Sequence, residues 1–163
     1  METLRAKKKE IDANPDLVIE LVDKIVLKHF DFAQMSKWTL GKYWDKATDD
    51  QKKRFIDEFK MLLIRTYSKA LADNTDAEVV FKSAKVSKKN NEEVFVDTEV
   101  PQSGGFPIPI VYRMHKEGSA WKVFDVNIDG ISLVSNYRNS FGREVKRTGI
   151  EKLIESMKSR NKK

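Results

Sequence analysis

The sequence predicts an α+β fold in which several helices pack over a twisted four-stranded antiparallel sheet, with an apolar cavity between the layers. Three observations carry this. Apolar residues recur at three- and four-residue spacing from Leu17 to Leu71. From Val79 to Ile128 they alternate instead, in four runs separated by short polar turns. Beyond Gly130 the helical spacing returns. Strands joined by such short turns pair antiparallel, because a parallel pair needs a long crossover.

Taken in order, the chain opens on a charged segment, residues 1–10. Asn14-Pro15 then reads as an N-cap with proline at the first helical position, and Leu17, Val18, Leu21, Val22 and Ile25 share one face of a helix ending near His29. A short helix follows Asp31 through Phe32, Met35 and Trp38 and stops at Gly41, which suits a left-handed terminus. Thr48-x-x-Gln51 is a capping box that opens the longest helix, striped by Phe55, Phe59, Leu62, Leu63, Tyr67, Ala70 and Leu71.

The strands are expected at Val79 to Val86, Glu93 to Val100, Ile108 to His115 and Trp121 to Ile128. Val94, Val96, Thr98 and Val100 share one face of the second, and Ile108, Ile110, Tyr112 and Met114 one face of the third, whose start is made irregular by Pro107 and Pro109. The fourth reads as buried on both sides, with Phe124, Val126 and Ile128 on one face and Trp121 and Val123 on the other. Asp129-Gly130 turns the chain into a helix bearing Leu133, Val134, Tyr137, Phe141 and Val145, with the aspartate as its cap. A second capping box, Thr148-x-x-Glu151, is expected to start the last helix. The domain is drawn as residues 11–157, followed by a basic tail, 158–163.

The chain has 163 residues, enough for one domain with a real core. No apolar run approaches the ~18 residues of a membrane span, and METLRAKKKE lacks the apolar stretch of a secretory signal. Cysteine is absent, which excludes disulfides, thiol catalysis and cysteine-ligated zinc. The formal charge is +6, but the surplus sits in the two ends, and residues 11–157 hold as many basic as acidic side chains. A dedicated nucleic-acid groove is therefore not expected.

Catalytic and metal motifs fail in specific ways. Asp125-x-Asn127-x-Asp129-Gly130 reproduces the opening of a calcium loop, yet its twelfth position is Asn136 where a bidentate glutamate is needed, and it begins inside a strand. Gly130-x-Ser132 has Val134 where a nucleophile elbow needs glycine. His29 and His115 have no acidic partner at a recognisable spacing. An enzyme is not expected, nor a metal or other cofactor. What remains is apolar surface, and composition does not separate a filled core from a lined pocket.

Several motifs in register resemble the MlaC family of periplasmic phospholipid-binding proteins, which includes proteins named for toluene tolerance. They are Trp121-Lys122-Val123-Phe124-Asp125-Val126, Gly130-Ile131-Ser132-Leu133-Val134, and Asn136-Tyr137-Arg138 with Phe141. Upstream, Leu40-Gly41, Trp44, Gln51, Phe55, Phe59 and Tyr67 follow in the same order. The resemblance implies a carrier whose cargo is a phospholipid, held by its acyl chains between helices and sheet; the neutral, charge-mixed body is compatible with a monomer. The resemblance also implies shuttling across the periplasm between an outer-membrane lipoprotein complex and an inner-membrane ABC-transporter complex bearing an MCE ring, with the leader already removed. The residues expected to meet lipid are Leu21, Ile25, Phe59, Leu63 and Tyr67 from the first helices. The sheet adds Val94, Val96, Ile108, Ile110, Tyr112, Phe124, Val126 and Ile128, and the following helix Val134 and Tyr137. Arg138 is read as part of a structural polar network. The competing reading is a small α+β cavity domain that binds or processes a soluble ligand.

Overall fold

The computed structural model describes residues 2–14, 16–89, 91–102 and 104–162. The charged start folds as two short helices, α1 (Glu2–Ala6) and α2 (Lys8–Ala13). Ile11 on α2 is 1% exposed and packs with Val18, Val22 and Ile64, so one apolar side chain anchors this segment. Pro15 of the expected helix start lies outside the described residues, and Asp16, without a side-chain cap bond, precedes α3 (Leu17–Leu21). The chain then widens into a π turn, Val22–Val26, and tightens into a 3-10 turn, Leu27–His29.

Helix α4 (Phe32–Leu40) ends at Gly41, whose φ of +54° is one that side-chain-bearing residues rarely adopt. Asp31 caps its start by accepting from Gln34 N–H at 2.8 Å. Helix α5 (Asp49–Asp73) begins at the expected capping box, with Gln51 N–H donating to Thr48 Oγ1 and Thr48 N–H donating to Gln51 Oε1.

The sheet has the order β1-β2-β3-β4-β5, with every pair antiparallel. Its strands are β1 (Val80–Val86), β2 (Glu93–Val100), β3 (Ile108–Glu117), β4 (Ala120–Ile128) and β5 (Ile131–Ser132). The fifth, absent from the sequence expectation, is too short to show alternation. It pairs back on β4 because Asp129 and Gly130 both take positive φ, +51° and +82°, as a tight two-residue hairpin requires.

Helices α6 (Leu133–Thr148) and α7 (Ile150–Asn161) complete the fold. The second capping box does not form. Thr148 is still inside α6 and its hydroxyl donates to the Glu144 carbonyl, while Gly149, at φ +88°, makes the break between the helices. Glu151 instead accepts two hydrogen bonds from the Arg54 guanidinium, at 2.6 and 2.8 Å. A forked, charge-assisted contact wins over a single bond to a backbone N–H. The bonds from Arg54 and Gln51 hold the Glu151 carboxyl down at about 2. α7 runs on through the basic end, and the Asn161 side-chain amide donates to Glu58.

The main core joins α4, α5, α6 and α7 to β4. Met35, Phe55, Phe59, Phe141, Leu153 and Met157 are buried in it, and Phe55, Phe59, Tyr137 and Phe141 make ring contacts between 5.3 and 5.9 Å. Aromatic pairs at such separations add roughly 0.5–1.5 kcal/mol each beyond burial.

Candidate functional site: a half-covered apolar sheet face

Strand register lines up apolar side chains in rows across the sheet. Phe81, Thr98, Ile110, Ile128 and Ile131 are successive partners, and so are Ala84, Val96, Tyr112 and Val126, then Val86, Val94, Met114 and Val123. Val100 pairs with Ile108 to extend the same face, and Phe106, two residues earlier, is 95% exposed. Side chains alternate between the faces of a strand, so the intervening residues meet on the opposite side. There charged groups pair among a few apolar ones such as Phe95 and Val111: Ser83 and Lys85 hold Asp97, Lys82 holds Glu99, and Arg113 lies 3.6 Å from Glu93. Hydrogen bonds from Ser83 and then Lys85 lower the Asp97 pKa.

The apolar face is closed over β4. Val123, Val126 and Leu133 are buried there, with Phe30, Tyr67, Ile110, Tyr112, Met114 and Ile128 packed around them. Toward β1 the cover thins. Val94, Val96 and Ile108 are half-buried and Phe81 on β1 is 64% exposed, while at the opposite edge Ile131 on β5 is 61% exposed. Burial pushes the pKa of Tyr67 up, helped by nearby Tyr137, and pushes that of Tyr112 up against a hydrogen bond with Thr98. Both remain neutral hydroxyls on an otherwise apolar surface.

β4 is buried on both sides, as expected, but its residues are divided differently. The register shifts between Arg113 and Met114, which pair with Asp125 and Val123 and leave Phe124 as the extra residue of a bulge. Val123 thereby joins the face of Val126. Phe124 turns to the other side, where its ring meets Trp38 at 5.4 Å and His115 at 5.2 Å and lies under the Arg113 guanidinium at 4.9 Å. Phe124, Val126 and Ile128 therefore do not share one face. A bulge offsets the alternation by one residue, and the adjacent apolar pair Val123-Phe124 was its only trace in the sequence.

Asp129-Gly130 makes the turn after β4, as expected, but the start of α6 is held by Asp125 and Ser132 and not by an Asp129 cap. The Asp125 carboxylate is buried and accepts from the Ser132 hydroxyl at 2.7 Å and from Val134 N–H at 3.1 Å, while Ser132 Oγ accepts from Ser135 N–H as the N-cap of α6. The would-be calcium ligand is thus part of a helix start. Among the described residues no group of three or more His, Cys, Asp or Glu stands together to hold a metal ion.

The fifteen side chains singled out from the sequence separate into three environments. Val94, Val96, Ile108, Ile110, Tyr112, Val126 and Ile128 come together on the apolar face. Phe59, Leu63, Phe124, Val134 and Tyr137 lie in or against the helical core, and Tyr67 touches both. Leu21 packs with the N-terminal cluster, and Ile25 is 40% exposed. Phe30 also forms a bridge to Val123 and helps close the floor, although a lone aromatic between helices carries no periodic signal in the sequence. Asp31 ties this floor to the sheet through its N–H to the Val123 carbonyl and its carboxylate to His115 Nε2, each under 3 Å.

Two surface concavities lie elsewhere. One, of ≈ 490 Å³, is lined by Ile11, Asp12, Asp16, Ser68, Lys69, Ala72 and Asp73. The other, of ≈ 290 Å³, is lined by Lys37, Trp38, Gly41, Trp44, Asp45 and Arg138. The Arg138 guanidinium has no ion-pair or hydrogen-bond partner among the described residues, so the structural network expected for it is not there.

Comparison with known proteins is consistent along the whole chain. The family model described as MlaC protein matches residues 1–159. The toluene tolerance protein Ttg2D of Pseudomonas putida is 28% identical over 155 residues, 93% of this chain and 71% of that protein. The intermembrane phospholipid transport system binding protein MlaC of Haemophilus influenzae is 22% identical over 157 residues, 94% of this chain and 73% of that protein. A phospholipid-binding protein from Ralstonia solanacearum, solved in complex with a phospholipid, superposes with a TM-score of 0.81 at 33% identity, covering 99% of this chain and 86% of that one.

Proposed function

The chain belongs to the MlaC family, and from that premise we propose that it is a non-enzymatic phospholipid carrier of the periplasm. Its cargo lies with acyl chains along the half-covered sheet face and its head group in water at the edge. The chain works as a monomer without a cofactor. It shuttles lipid between an outer-membrane lipoprotein complex and an inner-membrane ABC-transporter complex bearing an MCE ring.

The observation that supports this reading is the difference between the two faces of the sheet. One carries ion pairs between β1, β2 and β3, and the other presents apolar rows whose cover is concentrated over β4 and thins toward both edges. Each methylene left in water costs about 0.8 kcal/mol, and an acyl chain laid on this face removes apolar surface from water on both partners. Tyr67 and Tyr112, the tyrosines at this face, are kept in their uncharged form by burial, which suits contact with an acyl chain.

Native mass spectrometry and lipid extraction of freshly purified full chain test this. The expected result is a mass increment equal to whole phospholipid molecules, lost after organic extraction. Repeated preparations with no bound lipid, and no uptake from phospholipid vesicles, count against it. Shuttling is read separately, as transfer of labelled lipid between the two reconstituted complexes, which should depend on added protein.

A further inference from the structure

Two motifs far apart in the chain, Leu40-Gly41 with Trp44 and Asn136-Tyr137-Arg138, meet on the outer surface of the helical layer. The Arg138 side chain packs so closely over Gly41 that a Cβ there would stand 3.1 Å from both Nε and Nη2. Lys37, Trp38, Trp44 and Asp45 complete the ≈ 290 Å³ concavity. Arg54 is engaged with Asp50 and Glu151, Arg113 with Glu93 and three aromatic rings, and Arg160 with Glu144, whereas Arg65, Arg143 and Arg147 share the unpaired state of Arg138 among the described residues but do not line this concavity. Arg138 and Lys37 have no such partner among the described residues, and a single carboxylate, Asp45, stands beside them.

We propose that this concavity is a docking site for an acidic segment of a partner protein. A carboxylate side chain is taken by Arg138 and Lys37, and a neighbouring apolar residue lies on Trp38 and Trp44. Charge complementarity is the first argument: two cations face one acid, and the guanidinium fork matches a carboxylate in two parallel bonds. Composition is the second, because tryptophan and arginine dominate the energetic centres of protein interfaces. Rigidity is the third. Arg138 is confined by Gly41, and the Trp38 ring rests on Phe124 at 5.4 Å, so less side-chain freedom is lost on binding. None of the lining residues lies on the apolar sheet face, so the inference stands whether or not that face holds lipid.

The test is an NMR titration of the full chain with acetyl-Phe-Asp-Phe-Asp-amide, its Phe-Asn counterpart, and inorganic phosphate at matched ionic strength. The acidic peptide should shift the Arg138 Nε–H and the Trp38 and Trp44 indole signals. Loss of the charge-assisted pair should weaken binding about tenfold, both for the Phe-Asn peptide and for R138Q. The exposed R138Q variant should keep its fold by circular dichroism and its co-purifying lipid, which separates failure of docking from failure of the carrier reading. Equal binding of the Phe-Asn peptide, phosphate binding as tight as the acidic peptide, an unaffected R138Q, or no shift at these signals each overturns the proposal.

Discussion

Replacing Asp125 with alanine removes two acceptors at the point where the sheet hands over to α6. Val134 N–H loses its carboxylate oxygen at 3.1 Å and the Ser132 hydroxyl loses the other at 2.7 Å. Hydrogen bonds to a charged group contribute about 1.5–3 kcal/mol each, and the half-buried serine recovers part of its share from water, so the expected loss is about 3 kcal/mol. In a domain of this size that corresponds to a fall in Tm of roughly 6–12 °C. Urea unfolding followed by tryptophan fluorescence reads it directly, as a lower midpoint at unchanged slope. Asp125→Asn keeps one acceptor oxygen and should lose only about 1 kcal/mol. An alanine variant within about 0.5 kcal/mol of the parent would refute the assignment of Asp125 as the support of this helix start. A calcium-dependent rise in Tm would revive the calcium-loop reading that this geometry displaces.

Three further outcomes follow from the same structure. Val96→Arg, at a half-buried position on the open part of the apolar face, should leave the protein folded and depleted of lipid, whereas Val126→Arg, in the closed floor, should unfold it; lipid retained by a folded Val96→Arg protein argues against this face. Phe59→Ala removes a fully buried ring in contact with Phe55, Tyr137 and Phe141 and should cost about 3–5 kcal/mol in chemical denaturation. Glu151, held at about 2 in the folded protein against an ordinary 4.5, stabilises the fold above its unfolded pKa and loses that contribution as pH falls from there toward about 2. The stability gap between the parent and Arg54→Ala should therefore be widest near neutral pH, close on acidification and narrow in salt; a gap independent of pH contradicts the pairing.

Much of this architecture was legible because it obeys local rules. The capping box at Thr48, the stop at Gly41 and the alternation of Val94, Val96, Ile108, Ile110 and Tyr112 each reflect chemistry within a few residues. What the sequence concealed depends on long-range partners. Glu151 sits at a capping spacing but finds Arg54 across the helical layer. Phe124 keeps its place in an alternating run, yet a single unpaired residue in β4 turns it away from Val126. Asp129, beside the turn, reads as the cap of α6, but the hairpin through Gly130 brings Ser132 and Val134 back over Asp125 instead. The apolar stripes themselves do not distinguish Phe59, enclosed by other rings, from Val96, left half-covered. That distinction arises from which strands the helices reach.

The location of the cargo is the central claim, and a photo-crosslink reads it. The full chain is loaded with a phospholipid carrying a diazirine near the acyl terminus, irradiated, digested and mapped by mass spectrometry. Adducts should fall on the apolar rows, at Val96, Ile108, Ile110 and Tyr112, and on Tyr67 at the floor. Adducts confined to the charged side of the sheet at Phe95 and Asp97, or to the concavity around Trp44 and Arg138, would contradict the account.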